Sequence, residues 1–476
     1  MAIKLMPTLT EPVFAQQNLR RYIPTMSYET YFSTHRDTHL EELKQWLTIP
    51  SISALSEHKD DVLNAAHWLL DTLKKAGLEN IELHPTAGHP VIYADYLHAP
   101  GKPTILVYGH YDVQPVDPLN LWTTPPFEPE IRDGKLYARG ATDDKGQVFI
   151  HIKAIEAILK QEGTLPVNIK LCIEGEEEIG STNLPPFLEA NKEKLAADAV
   201  LVSDTSLLER GRPAICTGLR GLAALEVSVT TALTDLHSGS FGGGVPNALH
   251  ALVSLLSSLH DDKGRVSVEG FYEGVPELSP LLREEFVKQG VNEDKIREGL
   301  GLDALYGEEG YSFVERIGAR PTLELNGVYG GFQGEGGKTV IPKEAHAKIT
   351  CRLVGDQDPQ HILDVVEAHL RANIQAGAKV HVSQKDKARA FNIDPSNPIL
   401  QTAADAYGKV YGTRALFTKD GGSIPIMESF ARVLETPVVL MGFGLDDENL
   451  HAPDEHFNLE NFDKGLLTVV EFLKTV

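Results

Sequence analysis

An α/β fold in two domains, the second inserted into the first, is what this chain predicts. Three observations carry the expectation. Short strand-like runs alternate with helical stretches over the first 200 residues, the character changes near Leu219, and the first style returns at Pro395. Strands separated by helices imply a sheet covered on both faces. A length of 476 residues also exceeds what one hydrophobic core usually supports.

Taken in order, residues 1–27 carry charges and prolines without an apolar run, and read as an N-terminal arm. Helical periodicity covers 31–46 and 61–76, the latter stopped by Gly77. Strands are expected at 91–96 and 104–108, a helix from Asp144 through Leu159, a strand at 168–173, a helix at 185–192 and a strand at 199–202. These complete the first part of the larger domain, residues 28–218. Residues 221–230 (GLAALEVSVT) alternate as a half-buried strand does, and 247–259 form an apolar helix. A polar, glycine-rich and partly helical stretch leads to a strand at 346–354, a helix at 361–374 and a strand at 379–383. That succession predicts a smaller α+β domain over 219–385. Residues 386–476 resume the larger domain with a helix, a strand at 437–441 and a terminal helix at 459–474.

The net charge of −23 argues against nucleic acid or an anionic membrane surface as a partner, since both need basic patches. No segment approaches the roughly 20 apolar residues of a membrane span. Cys172, Cys216 and Cys351 are too few and too scattered for a disulfide framework or a cysteine-rich zinc site. With no secretory run at the start, a reducing cytoplasm is the expected location.

Chemistry accumulates where strands end in the larger domain. His110 leaves the strand ILVY, with Asp112 two residues on and on the same side of an extended segment. Such a carboxylate suits the second nitrogen of a metal-bound imidazole. Asp143 lies in ARGATDDKG. The run EGEEEIGS places Glu174, Glu176, Glu177 and Glu178 directly behind the strand KLCI. Four carboxylates in five residues repel one another, and a local cation is the economical explanation. Asp204 follows the next strand, and His451 follows the last one. Strand carboxyl ends are where ligands bind in α/β sheets. Two histidines, a bridging carboxylate and two further carboxylates make the inventory of a two-metal hydrolase, with one carboxylate left to take a water's proton. Mixed histidine and carboxylate ligation favours zinc, with manganese or cobalt as alternatives.

The strings GHYDVQP, ARGATDDKG, EGEEEIGS, DLHSG, GGKTVIP, DGGSIP and a late histidine occur in the order found in the co-catalytic di-zinc peptidases and deacylases. From about Leu43 onward the chain resembles that family, and VSVEGFYEGV, ITCRLV and GGSIP bring it nearest the cytosolic dipeptidase and carnosinase branch. The resemblance implies a phosphorylase/hydrolase-like α/β catalytic domain with an inserted lid and dimerisation domain. It implies one metal on His110, Asp143 and Asp204, and another on Asp143, Glu178 and His451. Glu177 would be the general base and Asp112 the partner of His110, and the bond between Asp143 and Asp144 would be cis. His237 in DLHSG would reach the partner subunit's site in a homodimer and stabilise the oxyanion. Arg352, Gly422 and Ser423 would bind the substrate's terminal carboxylate, a task suited to a guanidinium fork. Glu176 has no role implied, and Arg139, Lys145 and His456 are read as structural.

The expectation is a metal-dependent dipeptidase acting on small peptides. An N-acyl-amino-acid deacylase would use the same metals, and a non-catalytic binding protein would use the same scaffold. Asp204, where deacylases and carboxypeptidases of the family usually carry glutamate, tilts the reading toward aminopeptidase-like or dipeptidase chemistry. Glu177 beside all five ligands speaks against the binding protein.

Overall fold

The computed structural model describes residues 26–422 and 424–476. Residues 1–25 of the expected arm over 1–27, and the substrate contact Ser423, lie outside the described residues.

The larger domain is organised by a nine-stranded mixed sheet. Its order is Glu79–His84, Val91–Tyr96, Asn168–Glu174, Thr104–His110, Ala199–Val202, Val438–Leu440 and Ala214–Leu219, with Phe391–Asn392 and Leu416–Asp420 both pairing with the last. Thr104–His110 runs parallel to both neighbours, and Val438–Leu440 runs parallel to Ala199–Val202. Alternation along these strands feeds two cores. Ile105, Val107, Leu171, Leu201 and Val439 pack with helices Tyr28–Leu47, Lys59–Ala76, Lys145–Glu162, Pro398–Tyr411 and Leu459–Thr475. Leu106, Tyr108, Cys172, Val200 and Leu440 face the other way, against helices Leu184–Ala190 and Pro425–Leu434. Burial on both faces makes these strands nearly continuous apolar runs. Lys59–Ala76 ends where Gly77 adopts φ +94°, the left-handed cap that its sequence announces.

A second, antiparallel sheet is ordered Thr322–Gly330, Glu344–Leu353, Gly221–Thr230 and Lys379–Ala388. Ala223, Leu225, Val227 and Val229 alternate toward helices Ala248–Ser257 and Pro359–Asn373, forming a core of their own. The opposite face, with Arg352 and Thr350, has no such cover. The strand Thr322–Gly330 escapes the sequence pattern because its register shifts between Leu325 and Gly327, which breaks the period of two. The helices Pro280–Gln289, Glu293–Gly299 and Phe313–Ala319 fill the stretch read as polar and glycine-rich. Among the described residues, no helix is long and apolar enough to cross a membrane, and Cys172, Cys216 and Cys351 are free and buried.

Candidate metal centre

Parallel neighbours bring three strand ends to one edge. His110 closes Thr104–His110, Glu174 closes Asn168–Glu174 opposite it, and Asp204 follows Ala199–Val202. Asp143 comes from the loop before helix Lys145–Glu162, and His451 from the loop before the short strand His456–Asn458. Gly109 is required immediately before His110, because an added Cβ would lie 2.4 Å from Val148 Cγ2 and 2.7 Å from Asp144 Oδ2. Gly109→Ala should therefore lower folding stability by about 1–3 kcal/mol through overpacking. Denaturant unfolding checks this, and an unchanged midpoint would refute it.

Two triads meet at Asp143. His110, Asp143 and Asp204 form one, and Asp143, Glu178 and His451 the other, each with ligand-type atoms within 4.8 Å of one another. His110 Nε2 is 3.1 Å from Asp143 Oδ1 and 3.8 Å from Asp204 Oδ2. His451 Nε2 is 2.9 Å from Asp143 Oδ2 and 3.3 Å from Glu178 Oε2. Each oxygen of Asp143 thus faces a different imidazole. His451 holds φ +59°, a left-handed backbone that costs energy in a non-glycine residue. The Asp143–Asp144 peptide bond is cis.

The electrostatics are those of crowded anions. Burial, then the charge of Asp143, pushes Glu178 up to about 10. Burial raises Asp204 to about 6, with Asp143 adding to it, and holds Glu177 well above the usual carboxylate range. Burial alone would lower His110, but Asp112 and Asp143 hold its imidazole well above its usual value. Glu178 Oε1 is buried with no hydrogen-bond partner among the described residues. Four nitrogen and oxygen donors around a shared carboxylate, with an orphaned buried oxygen, fit a pair of divalent cations.

Asp112 does more than its spacing suggests. Its Oδ1 is 3.4 Å from His110 Nδ1, yet the ring's nearer neighbour is the Asp112 backbone oxygen at 3.1 Å. The two carboxylate oxygens accept the backbone N–H groups of Glu177 and Glu178, both at 3.2 Å. One buried carboxylate thereby fixes the short helical turn Glu177–Ile179, which carries both the expected base and an expected ligand.

The profile of peptidase family M20/M25/M40 matches residues 106–475. The chain belongs to this family. It is 31% identical to the Cys-Gly metallodipeptidase of Schizosaccharomyces pombe over 448 residues, covering 90% of this chain and 94% of that protein. It is 32% identical to the Beta-Ala-His dipeptidase of Homo sapiens over 457 residues, covering 91% and 89%. The solved M20 family metallo-carboxypeptidase from Sulfolobus solfataricus superposes with a TM-score of 0.78 at 34% identity, covering 94% of this chain and 99% of that one.

Within this M20 chain, none of the remaining expected residues belongs to either triad. His237 is exposed at the end of the two-residue strand Leu236–His237, paired with Val340–Ile341. None of its hydrogen bonds among the described residues reaches the triads. Its Nδ1 accepts the N–H groups of Gly239 and Ser240, at 3.0 and 3.2 Å. That cap leaves the ring proton on Nε2. Arg352 lies on the open face of the second sheet, lining a cavity of ≈ 640 Å³. Gly422 donates its N–H to Asp420 Oδ1 at 2.8 Å, so that donor is already engaged inside its own turn.

Several residues that position the site were given no such role by the motifs. Glu455 accepts the backbone N–H groups of Gly140, Thr142 and Asp143 at 2.9, 3.2 and 3.2 Å, together with Arg139 Nη1 at 2.7 Å. It holds the loop that presents Asp143, which gives Arg139 a structural purpose. Gln114 donates to Glu178 Oε2 at 2.8 Å. Glu176 accepts His89 N–H and both its oxygens face Asn183 Nδ2, tying two loops together. Lys145 Nζ donates to the carbonyls of Trp46 and Ile49, and His456 accepts or shares a proton with Lys135. These are tertiary contacts between distant residues, and no local pattern encodes them.

Proposed function

We propose that this protein is a metal-dependent dipeptidase that holds two divalent ions on His110, Asp143 and Asp204 and on Asp143, Glu178 and His451. The observation that carries the reading is the pair of triads sharing Asp143, with the carboxylate of Glu177 beside them. Zinc suits the mixed donor set, with manganese and cobalt as the alternatives. Two such ions, when bound, lower the pKa of a water held between them and polarise a carbonyl.

The chain's own residues do the rest. Glu177, kept basic once cations offset its neighbours, accepts the water's proton and returns it to the departing amine. Asp112 keeps that carboxylate in place through the turn it anchors. His237, with a proton on Nε2, donates to the oxygen that becomes negative. Because it lies outside the triads of its own chain, it serves the site of a partner subunit in a homodimer formed by the inserted domain, residues 219–385. Arg352 pairs with the substrate's terminal carboxylate. A cytoplasmic location agrees with three free, buried cysteines.

A panel of dipeptides, N-acetyl amino acids and tripeptides, run on protein of measured metal content, tests the reading. Dipeptides should be turned over best. The metallo-carboxypeptidase relative makes longer peptides the sharpest control, and N-acetyl amino acids turned over best would instead make the protein a deacylase.

His237→Ala should lower turnover about 10²–10³-fold, the usual loss of an oxyanion donor, with metal content unchanged. Mixing it with Glu177→Gln subunits should restore activity, since a mixed dimer can assemble one intact site. No recovery despite demonstrated subunit exchange would rule out the crossed site.

A further inference from the structure

The turn 420–422 and the open face of the second sheet meet at an arginine that no motif singles out. Arg220 sits between the last residue of strand Ala214–Leu219 and the first of Gly221–Thr230. Its backbone N–H donates to Gly422 O at 3.0 Å and its Nε to Gly421 O at 3.2 Å. The guanidinium lies so close that a Cβ on Gly421 would be 2.8 Å from Arg220 Nη2. Arg352 reaches the same place from the neighbouring strand, where its register partner is Leu222. Both arginines line the ≈ 640 Å³ cavity, together with Arg316, Glu324 and Thr350, a volume in the range that holds small ligands.

Two guanidinium groups on one cavity wall repel each other. Burial first, and the charge of Arg352 second, push Arg220 down to about 10, while Asp420 and Glu324 act in the opposite sense. Glu308, the other acid on this wall, is committed to Arg320 and Arg265. Two guanidinium groups on one wall make it attractive to a carboxylate, which a guanidinium fork recognises. The charge of Asp420 links this place to the loop that follows Asp204. Asp420 acts on Asp446, which is hydrogen-bonded to Ser206, two residues beyond Asp204.

We propose that Arg220 is a second specificity-determining arginine, which with Arg352 forms a paired cradle for the C-terminal carboxylate of the substrate. This rests on the dipeptidase reading above. Arg352 supplies the direct fork, and Arg220 supplies a second positive charge while fixing the Gly421–Gly422 turn that borders the cradle. Selection for a free C-terminus then depends on two residues from either side of the junction between the two sheets.

The experiment compares kcat/KM for one dipeptide with that for its C-terminal amide, in the metal-loaded full-length enzyme. Arg220→Gln keeps a donor for Gly421 O but removes the charge. Arg220→Lys keeps the charge. Arg220→Gln should reduce kcat/KM for the free acid about 10–100-fold, mainly through KM, the scale expected for a lost charged hydrogen bond. The amide should change little, and Arg220→Lys should retain most of the preference for the acid. Equal losses on acid and amide, or an unchanged acid-to-amide ratio in Arg220→Gln, would overturn the proposal. If Arg352→Ala flattens the ratio while Arg220→Gln does not, the cradle has one arginine and the dipeptidase reading stands. If the wild-type enzyme itself fails to distinguish acid from amide, carboxylate recognition fails altogether, and the paired cradle with it.

Discussion

Glu177→Gln is expected to keep both metal ions and lose about 10²–10⁴-fold in turnover, the usual contribution of general acid–base catalysis. That corresponds to a barrier higher by about 2.7–5.4 kcal/mol. The amide is close to isosteric and leaves the backbone N–H of residue 177 bonded to Asp112, so the turn is retained. What disappears is the ability to accept a proton. Elemental analysis and steady-state kinetics on the same preparation check both halves. Near-native turnover with metals bound would mean that Glu177 is not the base.

Asp143→Ala should be more damaging still. Each of its oxygens faces a different histidine, at 3.1 and 2.9 Å, so its removal takes a ligand from both triads at once. Both ions should be lost on gel filtration and activity should fall below that of Glu177→Gln. Asp204→Ala, which belongs to one triad only, should retain the ion of the other. A variant lacking Asp143 that still carried two equivalents would refute the shared-ligand arrangement.

The sequence made the layers of this fold legible because its strands are short, apolar and punctuated by glycine, and several of its helices are amphipathic. The helix expected from Asp144 is observed as Lys145–Glu162, and the apolar helix expected over 247–259 runs from Ala248 to Ser257, with the Asn247 side chain accepting from Leu249 N–H. The strand Thr322–Gly330 was hidden by its bulge and glycines. The juxtaposition of His110, Asp143, Glu178, Asp204 and His451 was readable because each follows a strand or opens a helix in one sheet, and topology gathers such positions at one edge. Glu455 and Gln114 were not readable. Their partners are 64 or more residues away in the hydrogen bonds that matter here, and a lone acid or amide in a loop has no periodicity to betray it. Arg220 was invisible for a similar reason, since its importance arises from a neighbour contributed by another strand.

The strand order carries a consequence for how the chain is made. Val438–Leu440 lies inside the nine-stranded sheet, between Ala199–Val202 and Ala214–Leu219, although it is the last of the nine in sequence. During synthesis, the residues on either side of that slot emerge well before the strand that fills it. The second sheet closes on itself within residues 221–388 and can finish folding while the slot is still open. The larger sheet therefore waits as two separate halves, with an unpaired edge on each, until the ribosome has passed residue 440. Its vulnerable interval for aggregation belongs to the nascent chain, and a chaperone that shields β-edges would be needed most during those last steps of elongation.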